Sequence, residues 1–259
     1  MNDNEISKIR DEVFAEFGIP DTPRVDKDWL LVESARRTLI GNVSEPECIA
    51  PLIDHTLLSA NATRDNILNL CAEAREYRFA SVCVNPCWVP LAAVELEDKY
   101  SIVCSVIGFP LGANATEIKA DEALRAVDDG AEEIDMVINN GYVKSSMWES
   151  VHADIVSVVE AVAPTPIKVI IETCLLDETE IARTSLISIS AGAAYVKTST
   201  GFSSHGATIE AVNLMSRVVG ENFGVKASGG IGDFDSAMRM IEAGATRIGT
   251  SRSIRIISR

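Results

Sequence analysis

Eight short apolar segments alternate with longer amphipathic segments between residues 50 and 251, and this alternation constrains the fold more than any other feature. Strands are predicted at 50–56, 81–85, 101–109, 132–139, 167–173, 193–199, 224–228 and 246–251. Strands that alternate with helices form parallel sheets, and eight such units predict a (β/α)8 barrel. A doubly wound sheet is the alternative, but the turn after the first strand, DHTLLSANAT, has no glycine-rich fingerprint.

Helix signals between the strands support this interpretation. Thr63 precedes a segment whose apolar residues share one helical face, and Asp177 with Glu180 has the spacing of a capping box. The apolar periodicity of residues 148–162 predicts a further helix. Each of these helices would connect two of the predicted strands, as the barrel requires.

A short repeat relates three of the strands to one another. The segments DGAEEIDMV, AGAAYVKTS and AGATRIGTS each contain a Gly–Ala pair typical of a helix end that leads into a strand. Counting five residues on from each glycine reaches Asp135, Lys197 and Gly249, on strands four, six and eight. Alternate strands of such a barrel contribute side chains to one interior layer, so we expect Asp135 and Lys197 to face each other inside.

Residues 1–48 lie outside this pattern and are predicted to be an N-terminal helical extension, whereas residues 49–259 are predicted to form the barrel and catalytic domain. A first helix before Gly18 is indicated by the spacing of Ile6, Ile9, Val13 and Phe17. A second helix, ending at Gly41, is marked by Trp29, Val32, Ala35 and Leu39, and both helices are expected to pack onto the barrel or cover its lower end. We expect no chemistry from this extension.

Composition narrows the class of protein. The net charge of −15 and the pI of about 4.6 argue against a nucleic-acid partner. No segment approaches the roughly 18 consecutive apolar residues of a membrane span, and the polar, acidic N-terminus does not resemble a secretory signal. Six cysteines in 259 residues do not suggest a disulfide scaffold. These features predict a cytoplasmic globular protein with no membrane partner.

Charged residues interrupt the predicted strands at six positions: Asp54, Asp135, Lys168, Glu172, Lys197 and Lys226. Any one of them could be a charge at a strand end or half of a buried ion pair. Lys168 and Glu172 could form such a pair, because they share one face of strand five. Six in one barrel indicate a functional site, because burial of ionisable groups is costly unless they are paired and because active sites perturb such groups.

Lys197 is the candidate nucleophile among these residues. An ordinary lysine amine is neutral in only about one molecule in a few thousand at pH 7. Removal from water or a neighbouring cation increases the neutral fraction, which can then attack a carbonyl carbon. Lys226, one strand along, is the predicted neighbouring cation, and Asp135 is the predicted proton relay between carbinolamine and imine.

Two glycine-rich turns, SGGIGD after strand seven and GTSRS after strand eight, predict how the substrate is held. Barrels of this kind commonly bind phosphate at that position, with backbone N–H groups and a helix N-terminus. The expected substrate is therefore a phosphorylated carbonyl compound.

Eight motifs resemble those of the deoxyribose-phosphate aldolases: LIDHTLL, VCVNP, VIGFPLG, EIDMVIN, KVIIET, YVKTSTGF, VKASGGI and RIGTS. The resemblance covers about residues 49 to 252, with one motif on each strand. It implies a class I aldolase that needs no metal and no cofactor. Such an enzyme reversibly cleaves 2-deoxy-D-ribose 5-phosphate to D-glyceraldehyde 3-phosphate and acetaldehyde.

The same resemblance assigns roles to individual residues. It implies that Lys197 is the Schiff-base lysine, Asp135 the relay carboxylate and Lys226 its lysine partner. It also implies substrate contacts from Asp54, Cys83, Lys168, Thr200, Gly201, Gly229, Gly230, Gly249 and Ser251. The expected partners are a small phosphorylated sugar and acetaldehyde, and a homo-oligomer is expected, with a dimer favoured.

Two features differ from the family pattern. Gly232 stands where relatives often carry a basic residue, and Arg252 is the side chain expected to compensate. Some relatives use a tyrosine in a C-terminal tail for proton transfer. This sequence ends in IISR, so that role is expected to be absent or filled by water.

Three other functions remain open at this point. A metal-dependent aldolase would favour a histidine-rich site, and the sequence contains three histidines. Another Schiff-base barrel enzyme, such as a transaldolase-like enzyme acting on a phosphorylated sugar, fits Lys197 but not the whole set of motifs. A barrel that binds a phosphorylated ligand without catalysis, its charges forming structural ion pairs, is the third.

Overall fold

The computed structural model describes residues 1–20, 22–40, 45–97 and 100–258. Its strands are β1 (Ile53–Leu57), β2 (Ser81–Val84), β3 (Ile102–Ile107), β4 (Glu133–Val137), β5 (Ile167–Ile170), β6 (Tyr195–Lys197), β7 (Gly224–Ser228) and β8 (Arg247–Thr250). They pair in chain order and in parallel, and β8 closes the barrel against β1. The predicted (β/α)8 barrel is confirmed, and the doubly wound alternative is wrong.

Helices surround the barrel and precede it. They are α1 (Asp3–Phe17), α2 (Lys27–Ile40), α3 (Arg64–Tyr77), α4 (Val89–Glu95), α5 (Thr116–Asp128), α6 (Asn140–Lys144), α7 (Trp148–Val162), α8 (Glu178–Ser190), α9 (Ile209–Val219), α10 (Phe234–Glu242) and α11 (Ser253–Ile257). Short 3-10 helices span Pro46–Leu52, Pro86–Trp88 and Thr173–Leu175. Both predicted N-caps are confirmed: the Thr63 side chain accepts from the Asn66 N–H, and Asp177 forms a capping box with Glu180. Within the described ranges, none of these helices has the length and apolar character needed to cross a membrane.

The Gly–Ala repeat has one structural cause in all three copies. Gly130, Gly192 and Gly244 adopt φ values of 109°, 99° and 110°, in the left-handed region where a side chain is strained. In the first copy the Gly130 N–H donates to Val127 O and the Ala131 N–H donates to Ala126 O, which is a Schellman motif. The other two copies repeat both hydrogen bonds. Because each helix ends in the same way, the fifth residue after each glycine reaches the same height in the barrel.

The main apolar core lies between the strands and the helices, and a smaller apolar cluster of Leu58, Cys83, Cys104 and Val106 lies inside the barrel. Outward-facing strand residues such as Val82, Ile134 and Val196 are fully buried against helical residues. Alternation along the strands turns the other residues inward, where they stack in layers of four. The layer nearest the N-terminal end of the strands comes from even strands: Ser81, Glu133, Tyr195 and Arg247. The next comes from odd strands, Asp54, Cys104, Lys168 and Lys226, and the third from even strands, Cys83, Asp135, Lys197 and Gly249.

Two strand glycines leave interior space for large neighbours. A Cβ atom at Gly249 would lie 2.9 Å from Lys226 Cε, and one at Gly224 would lie 2.1 Å from Tyr195 Cε1. Gly249 is also paired with both neighbouring strands, opposite Asp54 and Ser228. Glycine at these positions therefore admits the long Lys226 and Tyr195 side chains into a closed barrel.

The two N-terminal helices pack differently from each other. Helix α1 buries Ile6, Ile9 and Val13 as predicted and contacts α8, and its C-cap is Gly18. Helix α2 forms and covers the N-terminal end of the barrel as predicted, but it does not pack through the apolar residues that mark it: Val32, Ala35 and Leu39 are exposed, Trp29 is only partly buried, and the buried residue is Glu33. A charged side chain faces inward because α2 meets the end of the barrel where Arg247 lies. The predicted helix end at Gly41 lies outside the described residues.

Substitution of Gly224 by alanine is expected to lower the free energy of unfolding by about 1–3 kcal/mol, because the added methyl group overlaps the buried Tyr195 ring. Equilibrium unfolding in urea would measure the change. Gly220→Ala is the matched control: its Cβ meets no atom within 4 Å, so it reports only the strain of a positive φ. A cost at Gly224 no larger than that at Gly220 would contradict the steric explanation.

Candidate active site

One carboxylate, that of Asp135, is shared by three lysines in the barrel interior. Its Oδ2 atom lies 2.7 Å from Lys197 Nζ and 2.7 Å from Lys226 Nζ, and its Oδ1 atom lies 3.0 Å from Lys168 Nζ. All four side chains are buried, with only Lys197 showing a small exposed fraction, 3%. The predicted contact of Asp135 with Lys197 across the barrel is confirmed.

Further ion pairs continue from this centre toward the N-terminal end of the barrel. Asp54 lies 2.5 Å from Lys226 Nζ and 2.8 Å from the Arg247 guanidinium, and it accepts a hydrogen bond from Ser81. Glu133 lies 2.6 Å from Lys168 Nζ and 3.2 Å from Arg247. Such a network stabilises buried charges only because each charge has several partners of opposite sign.

The charges hold one another in the ionised state. Burial opposes ionisation of Asp135, but Lys168, Lys197 and Lys226 outweigh it and hold the pKa of that carboxyl well below its ordinary value. Burial also opposes the charge on Lys226, yet Asp135 and Asp54 raise its pKa above the ordinary value. The pKa of Lys168 is raised for the same reason, chiefly by Asp135. Lys168 and Lys226 are therefore held as ammonium groups at neutral pH.

Lys197 differs from the other two lysines in its surroundings. Lys168 lies within 4 Å of three carboxylates and Lys226 of two, whereas Asp135 is the single carboxylate at Lys197 among the described residues. Lys197 is also the lysine that lines the cavity at the C-terminal end of the strands. Of the three lysines, Lys197 therefore has the fewest carboxylate partners and is the one that borders the cavity.

A cavity of about 320 Å³ lies above Lys197. Its wall is formed by the loops after β1, β6, β7 and β8, and includes Thr200, Gly201, Gly229, Gly230, Gly249 and Ser251. Gly229 and Gly230 have φ values of 84° and 81°, so their backbone takes a conformation that favours glycine. A Cβ atom at Gly230 would meet no atom within 4 Å, which leaves space beside this backbone. The predicted phosphate-binding turns therefore border the same cavity as Lys197.

Arg252 occupies the space that Gly232 leaves open. A Cβ atom at Gly232 would lie 2.8 Å from an Arg252 guanidinium nitrogen. Arg252 is exposed and lines the cavity beside Ser251. A guanidinium group at this end of the cavity can bind a phosphate oxygen through charge-assisted hydrogen bonds.

Two thiols lie beside Asp135. Cys83 and Cys104 are opposite each other on β2 and β3, and their sulfur atoms lie 3.9 Å and 3.2 Å from Asp135 oxygens. The three donor atoms lie within 4.8 Å of one another, close enough to surround a metal ion. The carboxylate oxygens already accept hydrogen bonds from three ammonium groups, and these cations oppose a metal ion at the same point.

The structure separates the predicted site residues into two groups. Thr200, Gly201, Gly229, Gly230, Gly249 and Ser251 line the cavity together with Lys197. Asp54, Cys83 and Lys168 are fully buried in the interior and do not line it. They contact Asp135 or Lys226 instead.

The sequence analysis did not identify Glu133 and Arg247, the two charges of the network nearest the N-terminal end of the barrel. Glu133 and Arg247 each stand two residues before an interior position, Asp135 and Gly249, so the strand alternation could have identified them. It also proposed an ion pair of Lys168 with Glu172, and that pair is absent. Glu172 follows the end of β5 with φ 56° and accepts hydrogen bonds from Thr200.

Comparisons with known proteins agree with this arrangement. Residues 48–253 match the model of the DeoC/LacD family of aldolases. A deoxyribose-phosphate aldolase of an Exiguobacterium species is 54% identical over 211 residues, which are 81% of this chain and 96% of that protein. Two solved structures are similar along most of the chain. One, titled a putative deoxyribose-phosphate aldolase from Coccidioides immitis, has a TM-score of 0.82 and 38% identity and covers 99% of this chain and 97% of that one.

The other solved structure is a deoxyribose phosphate aldolase from Aeropyrum pernix. Its TM-score is 0.78 at 34% identity, and it covers 86% of this chain and 94% of that one. The Aeropyrum pernix protein is described as a tetramer.

Acid should unfold this protein by protonating the buried carboxylates. The pKa values of Asp54 and Asp135 are below ordinary in the folded state, so their stabilisation is complete above about pH 4 and is lost as the pH falls toward the folded values. We expect Asp54→Asn to lower the free energy of unfolding by about 3–5 kcal/mol at pH 7, because Lys226 and Arg247 lose a shared partner. It should also make the loss of stability below pH 4 less steep.

Denaturant unfolding at a series of pH values measures both effects. The control is Asp65→Asn on the exposed face of α3, which should leave both unchanged. An Asp54→Asn curve parallel to that of the unmodified protein at acid pH would contradict the assignment.

Proposed function

The chain belongs to the DeoC/LacD family of aldolases, and we propose that it is a class I deoxyribose-phosphate aldolase whose Schiff base forms on Lys197. The observation that carries the proposal is the position of Lys197, which faces the cavity and has a single carboxylate partner among the described residues. The substrate is 2-deoxy-D-ribose 5-phosphate, and the products are D-glyceraldehyde 3-phosphate and acetaldehyde. In the proposed reaction the chain's own side chains supply all the chemistry.

The cavity orients such a substrate from end to end. The aldehyde carbon of the open-chain sugar lies toward Lys197, and the phosphate lies toward Gly229, Gly230, Ser251 and Arg252. Backbone N–H groups beside glycines can approach a phosphate closely, and Arg252 adds a positive charge. This orientation presents the carbonyl group to Lys197, which among the described lysines is the one that lines the cavity.

Formation of the imine begins with transfer of a proton away from Lys197. Asp135 accepts hydrogen bonds from that ammonium group and from Lys226, so it can pass the proton between them and the oxygen of the carbinolamine. Loss of water then leaves a protonated imine. The imine carries the same positive charge as the original ammonium group, so Asp135 stabilises it as it stabilised the resting lysine.

Cleavage breaks the bond between C2 and C3 of the sugar. The protonated imine accepts the electron pair of that bond and becomes a neutral enamine, while the C3 hydroxyl loses its proton and glyceraldehyde 3-phosphate departs. The enamine carbon then takes up a proton, and water hydrolyses the imine to release acetaldehyde. Asp135 and Lys226 form the proposed relay for these proton transfers, since both lie within hydrogen-bond distance along one path.

The proposal extends to the context of the protein. Residues 49–259 are proposed to form the catalytic domain and residues 1–48 an extension of it. A homo-oligomer is proposed, with a dimer favoured; the Aeropyrum pernix relative is described as a tetramer. A cytoplasmic location is proposed on the basis of the free cysteines and the absence of a membrane-spanning helix among the described residues.

Reduction with borohydride in the presence of acetaldehyde should attach an ethyl group to Lys197. Peptide mapping by mass spectrometry identifies the modified lysine, and Lys197→Met removes both the adduct and the activity. Lys168 and Lys226 serve as internal controls, because two or more carboxylates keep each of them protonated although burial opposes the charge. The experiment is repeated with excess chelator, where cleavage should continue.

An adduct on Lys226 or Lys168 with Lys197 unmodified would refute the assignment. Loss of activity in chelator would favour the metal-dependent alternative, and absence of any adduct would favour the non-catalytic one.

Arg252→Ala should weaken phosphate binding with little effect on the chemistry at Lys197. Loss of one charge-assisted contact is worth about 1.5–3 kcal/mol, so we expect KM for deoxyribose 5-phosphate to rise by roughly ten- to a hundredfold. The ratio of kcat/KM for the phosphorylated and unphosphorylated sugars is the measurement, since Arg252 should not affect the second. Arg255→Ala, on the exposed side of α11, is the control. Equal losses on both sugars would mean that Arg252 does not bind phosphate.

A further inference from the structure

The N-terminal extension contributes a buried charge to the barrel interior. Glu33, on α2, is 2% exposed although it lies far in sequence from the barrel strands. One carboxylate oxygen lies 2.8 Å from the Arg247 guanidinium, and the other accepts a hydrogen bond from the Tyr195 hydroxyl. Trp29, four residues earlier, donates its indole N–H to Glu133. Helix α2 thus closes the N-terminal end of the barrel with polar contacts.

Glu33 is connected to Lys197 by an unbroken series of ion pairs. Arg247 links Glu33 to Asp54 at 2.8 Å on each side. Asp54 contacts Lys226 at 2.5 Å, and Lys226 contacts Asp135 at 2.7 Å. Asp135 completes the series at Lys197.

This series is electrically balanced only when Glu33 is counted. The buried members of the series are four carboxylates and four cations, which are Glu33, Asp54, Glu133 and Asp135 with Lys168, Lys197, Lys226 and Arg247; Arg36 and Arg37 lie beside Glu33 at its partly exposed edge. Without Glu33 the same interior has one excess positive charge. Lys197 is the member of the set that can release a proton into the cavity, so it would respond to such an excess.

The comparisons separate the extension from the catalytic part of the family. The family match begins at residue 48, and the Exiguobacterium relative aligns with 81% of the chain. The Coccidioides immitis structure, in contrast, covers 99% of it. The carboxylate on α2 therefore lies outside the region that the family match covers.

We propose that Glu33 is a positioning residue that acts through Arg247 and sets the pH range in which Lys197 is available as a neutral amine. This inference rests on the proposed Schiff-base function. Glu33 faces Arg247 from β8, Tyr195 from β6, and Arg36 and Arg37 from its own helix, with Glu133 of β4 on the far side of Arg247.

The size of the effect follows from Coulomb's law. A unit charge on the order of 12 Å from an ionisable group, in a protein of effective dielectric constant ~20, shifts the pKa of that group by about one unit. The intervening ion pairs reduce this, so about half a unit to one unit is expected. Loss of the negative charge favours the neutral amine and moves the acidic limb of the pH profile to lower pH.

Glu33→Gln tests the proposal, because glutamine keeps the size of the side chain and one acceptor oxygen but removes its charge. We expect the acidic limb of kcat/KM, and of borohydride trapping at Lys197, to move to lower pH. On that limb, kcat/KM should exceed the value of the unmodified enzyme by about three- to tenfold. Glu33→Asp, which keeps the charge, should retain the original profile.

Arg36→Gln should shift the pH profile in the direction opposite to that of Glu33→Gln. Arg36 lies 3.6 Å from Glu33 at the edge of the network, so its loss should leave the interior more negative. The acidic limb should then move to higher pH, by less than about half a unit. This variant decides the question if Glu33→Gln does not fold.

Two further variants separate charge from packing. Tyr195→Phe removes the other hydrogen bond to Glu33 without changing any charge near neutral pH, so it should lower the melting temperature and leave the acidic limb in place. Asp28→Asn, at an exposed position of the same helix, should change neither.

An unchanged profile in Glu33→Gln, or shifts of the same sign in Glu33→Gln and Arg36→Gln, would overturn the proposal. Failure of the unmodified enzyme to be trapped at Lys197 would instead refute the proposed function. The two failures are therefore distinguishable.

Discussion

The sharing of one carboxylate by three lysines is the interaction on which the rest of the structure depends. Asp135 can remain ionised in a closed barrel because the cations around it offset the cost of burial. Three ammonium groups around one carboxylate would in turn repel one another without additional carboxylates. Asp54 and Glu133 supply these from the layers below. The interior is polar through several layers because one polar group at the site requires the next.

This requirement explains features that are unusual for a barrel core. Interiors of such barrels are commonly filled by branched apolar side chains, whereas here most of the buried apolar residues lie outside the strands. Long lysine and arginine side chains need space, and Gly249 provides it for Lys226. The network extends to α2, where Glu33 is its buried carboxylate and Arg36 and Arg37 lie beside it. Helix α2 therefore packs by charge, whereas α1 packs by apolar contact.

The sequence was most informative where local rules fix geometry. The three Gly–Ala pairs end their helices with the same hydrogen bonds, so counting from them placed Asp135 and Lys197 at one height correctly. Glu33 could not be predicted in this way, because the inward face of α2 is chosen by the charges it meets and not by its own apolar residues. The partner of Lys168 was missed for a related reason. Strand alternation paired it with Glu172, but the strand ends before that residue.

The balance of positive and negative charges inside the barrel also determines where a phosphorylated substrate can be held. The whole chain carries a net charge of −15, although screening limits its reach to about 8 Å at physiological salt. Inside the barrel the cations are already matched by carboxylates, so they offer little net attraction to a dianion. Attraction must then come from groups that the network does not use. The backbone around Gly229 and Gly230 and the exposed guanidinium of Arg252 are such groups, and they lie at the end of the cavity away from the ion pairs. In the proposed function, the phosphate-binding groups are separate from the ion-pair network. An anion can therefore bind without changing the charges around Lys197.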